Sequence, residues 1–171
     1  VDVMQVSALL KPHRRAMHAV LSQEIEAAVQ DPKRLAWLLR LAHAMALTPS
    51  PAMLRSMLEK QRDIDVLAGS LRLVRHPDCA QAVRGLVGHA DWQVRTQAAI
   101  ALGRVGHASD VPFFLQLLAD PQWWVRYRAA QALVTLPGLP RRELQAHMAA
   151  ITDRYARDMV GQVFSEITGE A

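Results

Sequence analysis

Between residues 50 and 170 the apolar positions recur at helical spacing, and the whole pattern then recurs one unit later. Val94, Ala98, Ala101, Leu102 and Val105 fall on one face of a 3.6-residue helix. A step of 31 residues lays Val125, Ala129, Ala132, Leu133 and Leu136 on the same phase and Trp92 on Trp123. The run from Val94 to Leu102 lines up with the run from Val125 to Leu133. Upstream, Ala80, Val83, Leu86 and Val87 match Val111, Phe114, Leu117 and Leu118. One step forward from Arg126 reaches Arg157, with Val160, Phe164 and Ile167 under Ala129, Leu133 and Leu136. One step back from Ala98, Leu102 and Val105 gives Leu67, Leu71 and Val74. Self-similarity at this period marks stacked supersecondary units, each too small to bury its apolar face alone.

Each unit reads as two helices. The clearest predicts a first helix from Val111 to Leu118, a turn at Ala119-Asp120-Pro121-Gln122, and a second helix from Trp123 to Leu136. Asp120 before Pro121 predicts a helix start, because proline loses no hydrogen bond at the first helical position. Gly106 and Pro137-Gly138 predict the ends of two second helices. Before residue 50, segments 13–30 and 32–47 predict another pair, whose stripe is Leu35, Leu38, Leu39, Ala42 and Met45. The expectation is all-α: an α-solenoid of ten helices in five stacked antiparallel pairs. Residues 1–49 form the capping pair and residues 50–171 the repeat array.

Composition agrees. A chain of 171 residues buries roughly 70% of the surface its unfolded form exposes. Its 51% hydrophobic fraction leans on alanine and leucine with only 5% aromatics, which favours helices over a sandwich or barrel. The lone Cys79 excludes an intramolecular disulfide and a multi-cysteine zinc site. No stretch approaches 18 uninterrupted apolar residues, so no membrane span is expected. The chain opens on Val1 rather than methionine, and the expectation is a trimmed chain with an anchor or partner domain upstream. The single cysteine is compatible with cytoplasm or periplasm and does not fix the compartment, and membrane anchoring is expected only if such a segment precedes Val1.

Charge changes the picture little. A net charge of +4 permits an acidic partner without demanding one. Residues 111–171 carry six basic and six acidic groups, and no run of five like charges offers a nucleic-acid arm.

The unit from Val111 to Leu133, with its Asp-Pro turn, Val-Arg pair and Ala-Ala-x-Ala-Leu run, resembles a HEAT repeat. It is more closely similar to the short bacterial type found in phycobilisome lyase subunits. The Leu-Gly-Arg-Val-Gly stretch at 102–106 matches as well. The resemblance implies an α-solenoid acting as a scaffold or binding surface, with catalysis in only a few relatives.

Helical phase sorts the second helices into faces. Val125, Ala129, Ala132, Leu133 and Leu136 form the core stripe. Trp123, Tyr127, Ala130 and Val134 flank it as packing residues, and Trp92 shares their phase. The remaining face carries Trp124, Arg128 and Gln131 in one unit. Gln93, Gln97 and Arg104 occupy it one unit earlier, and Tyr155, Met159 and Gln162 one unit later. In an α-solenoid the second helices usually line the concave surface, so these nine residues are the candidate partner-binding set. Arg95, Arg126 and Arg157 recur in register and read as a structural ladder, pairing with Asp91, Asp120 or Asp153 of a neighbouring unit.

No catalytic residue and no metal ligand is singled out, and no cofactor is expected. The seven histidines include no pair four residues apart and no His-Glu-x-x-His. His76, His89 and His107 read as loop residues. Cys79 follows Pro77-Asp78 near a helix start, where a dipole lowers a thiol pKa, yet it lacks an evident base and reads as a small apolar residue. Gly103-Arg104-Val105-Gly106 follows a helix rather than a strand, so it reads as a terminator and not a phosphate cradle.

The leading function is a non-catalytic interaction module for another protein. The alternative is nucleic-acid recognition, including base excision, with Trp124, Arg128, Arg104 and Tyr155 as matching chemistry. A third reading, chromophore attachment, rests on the shared repeat alone.

Overall fold

The computed structural model describes residues 2–169, and among them there are helices and turns but no strand. The helices are α1 (Val3–Leu10), α2 (Arg14–Ala27), α3 (Pro32–Ala44), α4 (Pro51–Lys60), α5 (Ile64–Leu73) and α6 (Ala80–Arg84). They continue as α7 (Trp92–Val105), α8 (Val111–Leu118), α9 (Trp123–Val134), α10 (Arg141–Ala150) and α11 (Arg154–Thr168). From α2 onward there are the ten expected helices, and α2 packs with α3, α4 with α5, α8 with α9 and α10 with α11. The segment α1 was not anticipated; Asp2 caps it by accepting from the Met4 N–H at 2.9 Å.

Side-chain caps start most of the helices. Asp31, Ser50, Asp63, Asp91 and Asp153 each accept a backbone N–H from the first turn of α3, α4, α5, α7 and α11. Each such cap contributes about 1 kcal/mol. Pro32 and Pro51 occupy the first helical positions of α3 and α4, where no N–H is missed.

The start of α9 corrects the expectation at Asp120-Pro121. Its N-cap is Gln122, which makes no side-chain hydrogen bond. Asp120 lies two residues earlier, in the turn, and accepts the Gln122 N–H at 2.9 Å. Its carboxylate is otherwise engaged by Arg95, which keeps it from serving as the cap.

The chain divides after Ala82 into two compact units. In the first unit α3 packs against α5 and α1, and α4 against α5. Leu35, Leu39, Leu54, Leu67 and Leu71 are fully buried there.

In the second unit α9 lies between α7 and α11 and is backed by α8. The N-caps of these second helices, Asp91, Gln122 and Asp153, keep the 31-residue step. Val94, Ala98, Leu102, Val125, Ala129, Leu133 and Phe114 are fully buried, as the apolar phase requires. Small residues set the spacing: a Cβ at Gly103 would lie 2.7 Å from the Ala132 Cβ. At Gly106 a Cβ would lie 2.5 Å from the Leu102 carbonyl oxygen and 2.8 Å from Asp110 Oδ2. That glycine ends α7 because no side chain fits the turn. The stripe fails in α11: Val160 is buried, but Ile167 is 47% exposed at the position expected to match Leu136.

Candidate interaction surface

The first turn of α9 carries three aromatic rings packed on one another. The Trp123 and Tyr127 rings stack at 5.0 Å with planes 10° apart. Trp123 meets Trp124 edge to face at 4.8 Å, and Trp124 meets Tyr127 at 6.3 Å. Tyr127 stands four residues from one indole and three from the other, the two spacings that make helical neighbours. Trp123 is 46% exposed and Trp124 51%.

These positions correct two expectations. Trp123 is not buried against a neighbouring unit but packs on Trp124 and Tyr127 of its own helix, and Trp92 is 37% exposed. Nor do the separate faces assigned to Trp123 and Trp124 keep the two adjacent indoles apart. Both sit at the start of α9, where no preceding helical turn lies beneath them, and their bulk spans the angle between their bonds.

Beside the cluster, Arg128 is held from two sides. Its Nη1 donates to Gln131 Oε1 at 2.9 Å, and its Cζ lies 5.9 Å from the Tyr127 ring centroid. The cation therefore sits over Tyr127 rather than Trp124. Arg128 and Gln131 share a groove of about 330 Å³ with Arg104, over a floor that includes Gly103 and Ala132.

Of the other candidates, Gln93 and Gln162 are exposed and Gln97 and Met159 half-buried on α7 and α11. The amide of Gln162 donates to Glu166 Oε1 at 2.9 Å. Tyr155 does not join the groove. Although 77% exposed, it lines a separate hollow of about 360 Å³ with Asp120, Pro121, Arg126 and Asp153.

The arginine ladder holds at one rung. Arg95 donates from Nε and Nη2 to the two Asp120 oxygens at 2.6 and 3.0 Å, and from Nη1 to the His89 and Ala90 carbonyls. One repeat later Arg126 Nη1 reaches the Asp120 and Pro121 carbonyls in the same register. The position matching Asp120 is then Ile151, which has no carboxylate. Arg126 Nε is accordingly buried without a hydrogen-bond partner. Arg157 is exposed.

A second ion pair was not anticipated. Arg84 donates from Nε and Nη2 to Asp110 at 2.7 and 3.0 Å, and the His107 N–H adds a third bond at 3.0 Å. Burial pushes the Asp110 carboxyl up, but the Arg84 hydrogen bonds, the His107 N–H and the nearby positive charge outweigh it and hold it below its ordinary value. Pairs of this kind join residues 26 positions apart, and helical phase within one element gives no signal of them.

The remaining candidates are structural. Burial, more than any charge, pushes the Cys79 thiol up, so the helix start does not activate it. His76 and His89 accept backbone N–H bonds in turns, and the His107 ring meets Ser109 Oγ at 2.7 Å. No group of three metal-ligating side chains occurs among the described residues, and none of their helices is long and apolar enough to cross a membrane.

A family model described as HEAT repeats matches residues 51–134, which hold α4 to α9. The chain is a HEAT-repeat protein. HEAT repeats are generally protein-interaction scaffolds and are typically non-enzymatic. The match supports the repeat as such and not the narrower likeness to phycobilisome lyase subunits. No curated protein matches the chain.

Proposed function

We propose that this HEAT-repeat protein is a non-catalytic module that binds another protein along its second helices. In this reading the helical pair in residues 1–49 caps the repeat array of residues 50–171. The partner lies across Gln93, Gln97 and Arg104 of α7, Trp124, Arg128 and Gln131 of α9, and Met159 and Gln162 of α11. Tyr155 is the outlying contact of the set.

The observation that carries this reading is the aromatic cluster at the head of α9. About half of each indole lies in water, although the same helix buries Val125, Ala129 and Leu133 completely. Three mutually packed rings beside a positioned guanidinium offer the residue types that anchor protein interfaces. The rings already hold one another, so little side-chain freedom is lost on binding.

The test is affinity capture from the native cells with the wild-type chain and with a Trp124→Ala, Arg128→Ala variant shown by circular dichroism to remain folded at the capture temperature. A protein recovered by the wild type and at least tenfold less by the variant supports the reading. Equal recovery overturns it. Submicromolar binding of short DNA or RNA at near-physiological salt, with a steep salt slope, would replace it with nucleic-acid recognition.

A further inference from the structure

The first unit contains a cavity that the interaction surface does not use. It lies between the first turn of α1 and the C-terminal parts of α3 and α5, and its volume is about 450 Å³. Pockets that take small organic ligands run from roughly 300 to 1,000 Å³. Leu39 and Gly69 line its apolar interior, where a Cβ on Gly69 would lie 3.1 Å from the Leu39 Cβ. Met4, 66% exposed, stands on its wall.

All three charged or titratable groups lining the cavity are basic: Arg40, His43 and Arg72. His43 and Arg72 lie in the last turns of α3 and α5, where a cation offsets the negative helix end. Arg40 lies before the last turn of α3, and it makes no ion pair or hydrogen bond among the described residues. Its charge therefore meets no acid among the described residues, and an apolar cavity with such a rim is complementary to a ligand with a hydrocarbon body and one negative end.

We propose that this cavity binds an amphipathic organic anion, an alkyl carboxylate whose chain lies among Val3, Met4 and Ala44 and whose carboxylate meets Arg40. An extended peptide fits less well. The carbonyls at the C-terminal ends of α3 and α5 are already spent, those of His43 and Leu71 on the Ala46 and Val74 N–H groups, that of Ala44 on the Ser7 hydroxyl and that of Arg72 on the Arg75 guanidinium. A peptide's amides would therefore be desolvated without partners, whereas an alkyl chain has none to satisfy.

Isothermal titration of the full chain tests this with dodecanoate, dodecanol and dodecyltrimethylammonium, each below its micelle concentration. The expected result is saturable one-site binding of dodecanoate, with at least tenfold weaker binding of the alcohol and of the cation. Arg40→Glu should weaken dodecanoate at least tenfold, and Met4→Trp should weaken it by narrowing the cavity. Arg40 and Met4 are exposed, so both variants should retain the wild-type melting temperature. Absence of saturable binding, equal binding of the three amphiphiles, or an unchanged Kd in Arg40→Glu would overturn the proposal. So would saturable binding of an acidic peptide that dodecanoate does not displace.

Discussion

Arg95 and Asp120 tie the second helix of one repeat to the turn of the next, with Nε 2.6 Å from Oδ2 and Nη2 3.0 Å from Oδ1. Both side chains are largely shielded from water. Asp120→Asn leaves the Arg95 charge without its counter-ion and should cost about 3 kcal/mol, as breaking a buried pair does. Urea unfolding checks it; a loss below about 1 kcal/mol would mean the pair behaves as a surface contact.

The missing rung at Ile151 makes the opposite prediction. Ile151 stands two residues before the N-cap of α11, as Asp120 stands two before that of α9. Ile151→Asp should give the buried Arg126 Nε an acceptor. A hydrogen bond to a charged group contributes about 1.5–3 kcal/mol, against about 1 kcal/mol lost with the half-buried side chain. The expected outcome is a raised melting temperature. A lowered one would show that the two turns are not equivalent.

Acid should weaken the protein through Asp110. Its folded pKa is depressed, so the stability it contributes is fully present above its unfolded value, about 3.9, and is lost as pH falls through the lower folded value. Asp110→Asn should destabilise the neutral protein and flatten the fall in melting temperature over that acidic range. An unchanged acid profile in this variant would assign the loss to other carboxylates.

Leu102→Ala or Leu133→Ala should each cost about 2–5 kcal/mol, because both side chains are fully buried. Trp123→Ala and Trp124→Ala should each cost only about 1 kcal/mol, the scale of an aromatic pair at the surface. Melting curves of the four variants separate the two classes. A loss at Trp123 as large as at Leu133 would place that indole in the core.

The core was legible because Leu102 and Leu133 lie on a phase that only a helix makes continuous. The chain step was legible for the same reason, since Trp92 falls on Trp123. What Trp123 does was not legible. Periodicity places a residue beside the core stripe but does not show whether another element covers it, and here the first turn of α9 leaves it uncovered. The Arg84–Asp110 pair was missed because its partners come from α6 and from the turn before α8, where no periodic pattern links them. Of the candidate surface, Arg104, Arg128 and Gln131 converge on one groove because they sit near the close approach of Gly103 and Ala132. Tyr155 departs because it opens α11 beside the Asp120 turn.

The central claim is that a protein partner binds the face of the second helices, and photocrosslinking tests it most directly. A photoreactive amino acid at position 131, on α9, is compared in native cells with one at position 116, exposed on α8. The account predicts a discrete protein adduct from position 131 that is absent from position 116. An adduct from 116 alone, equal adducts from both, or a nucleic-acid adduct from 131 would contradict it.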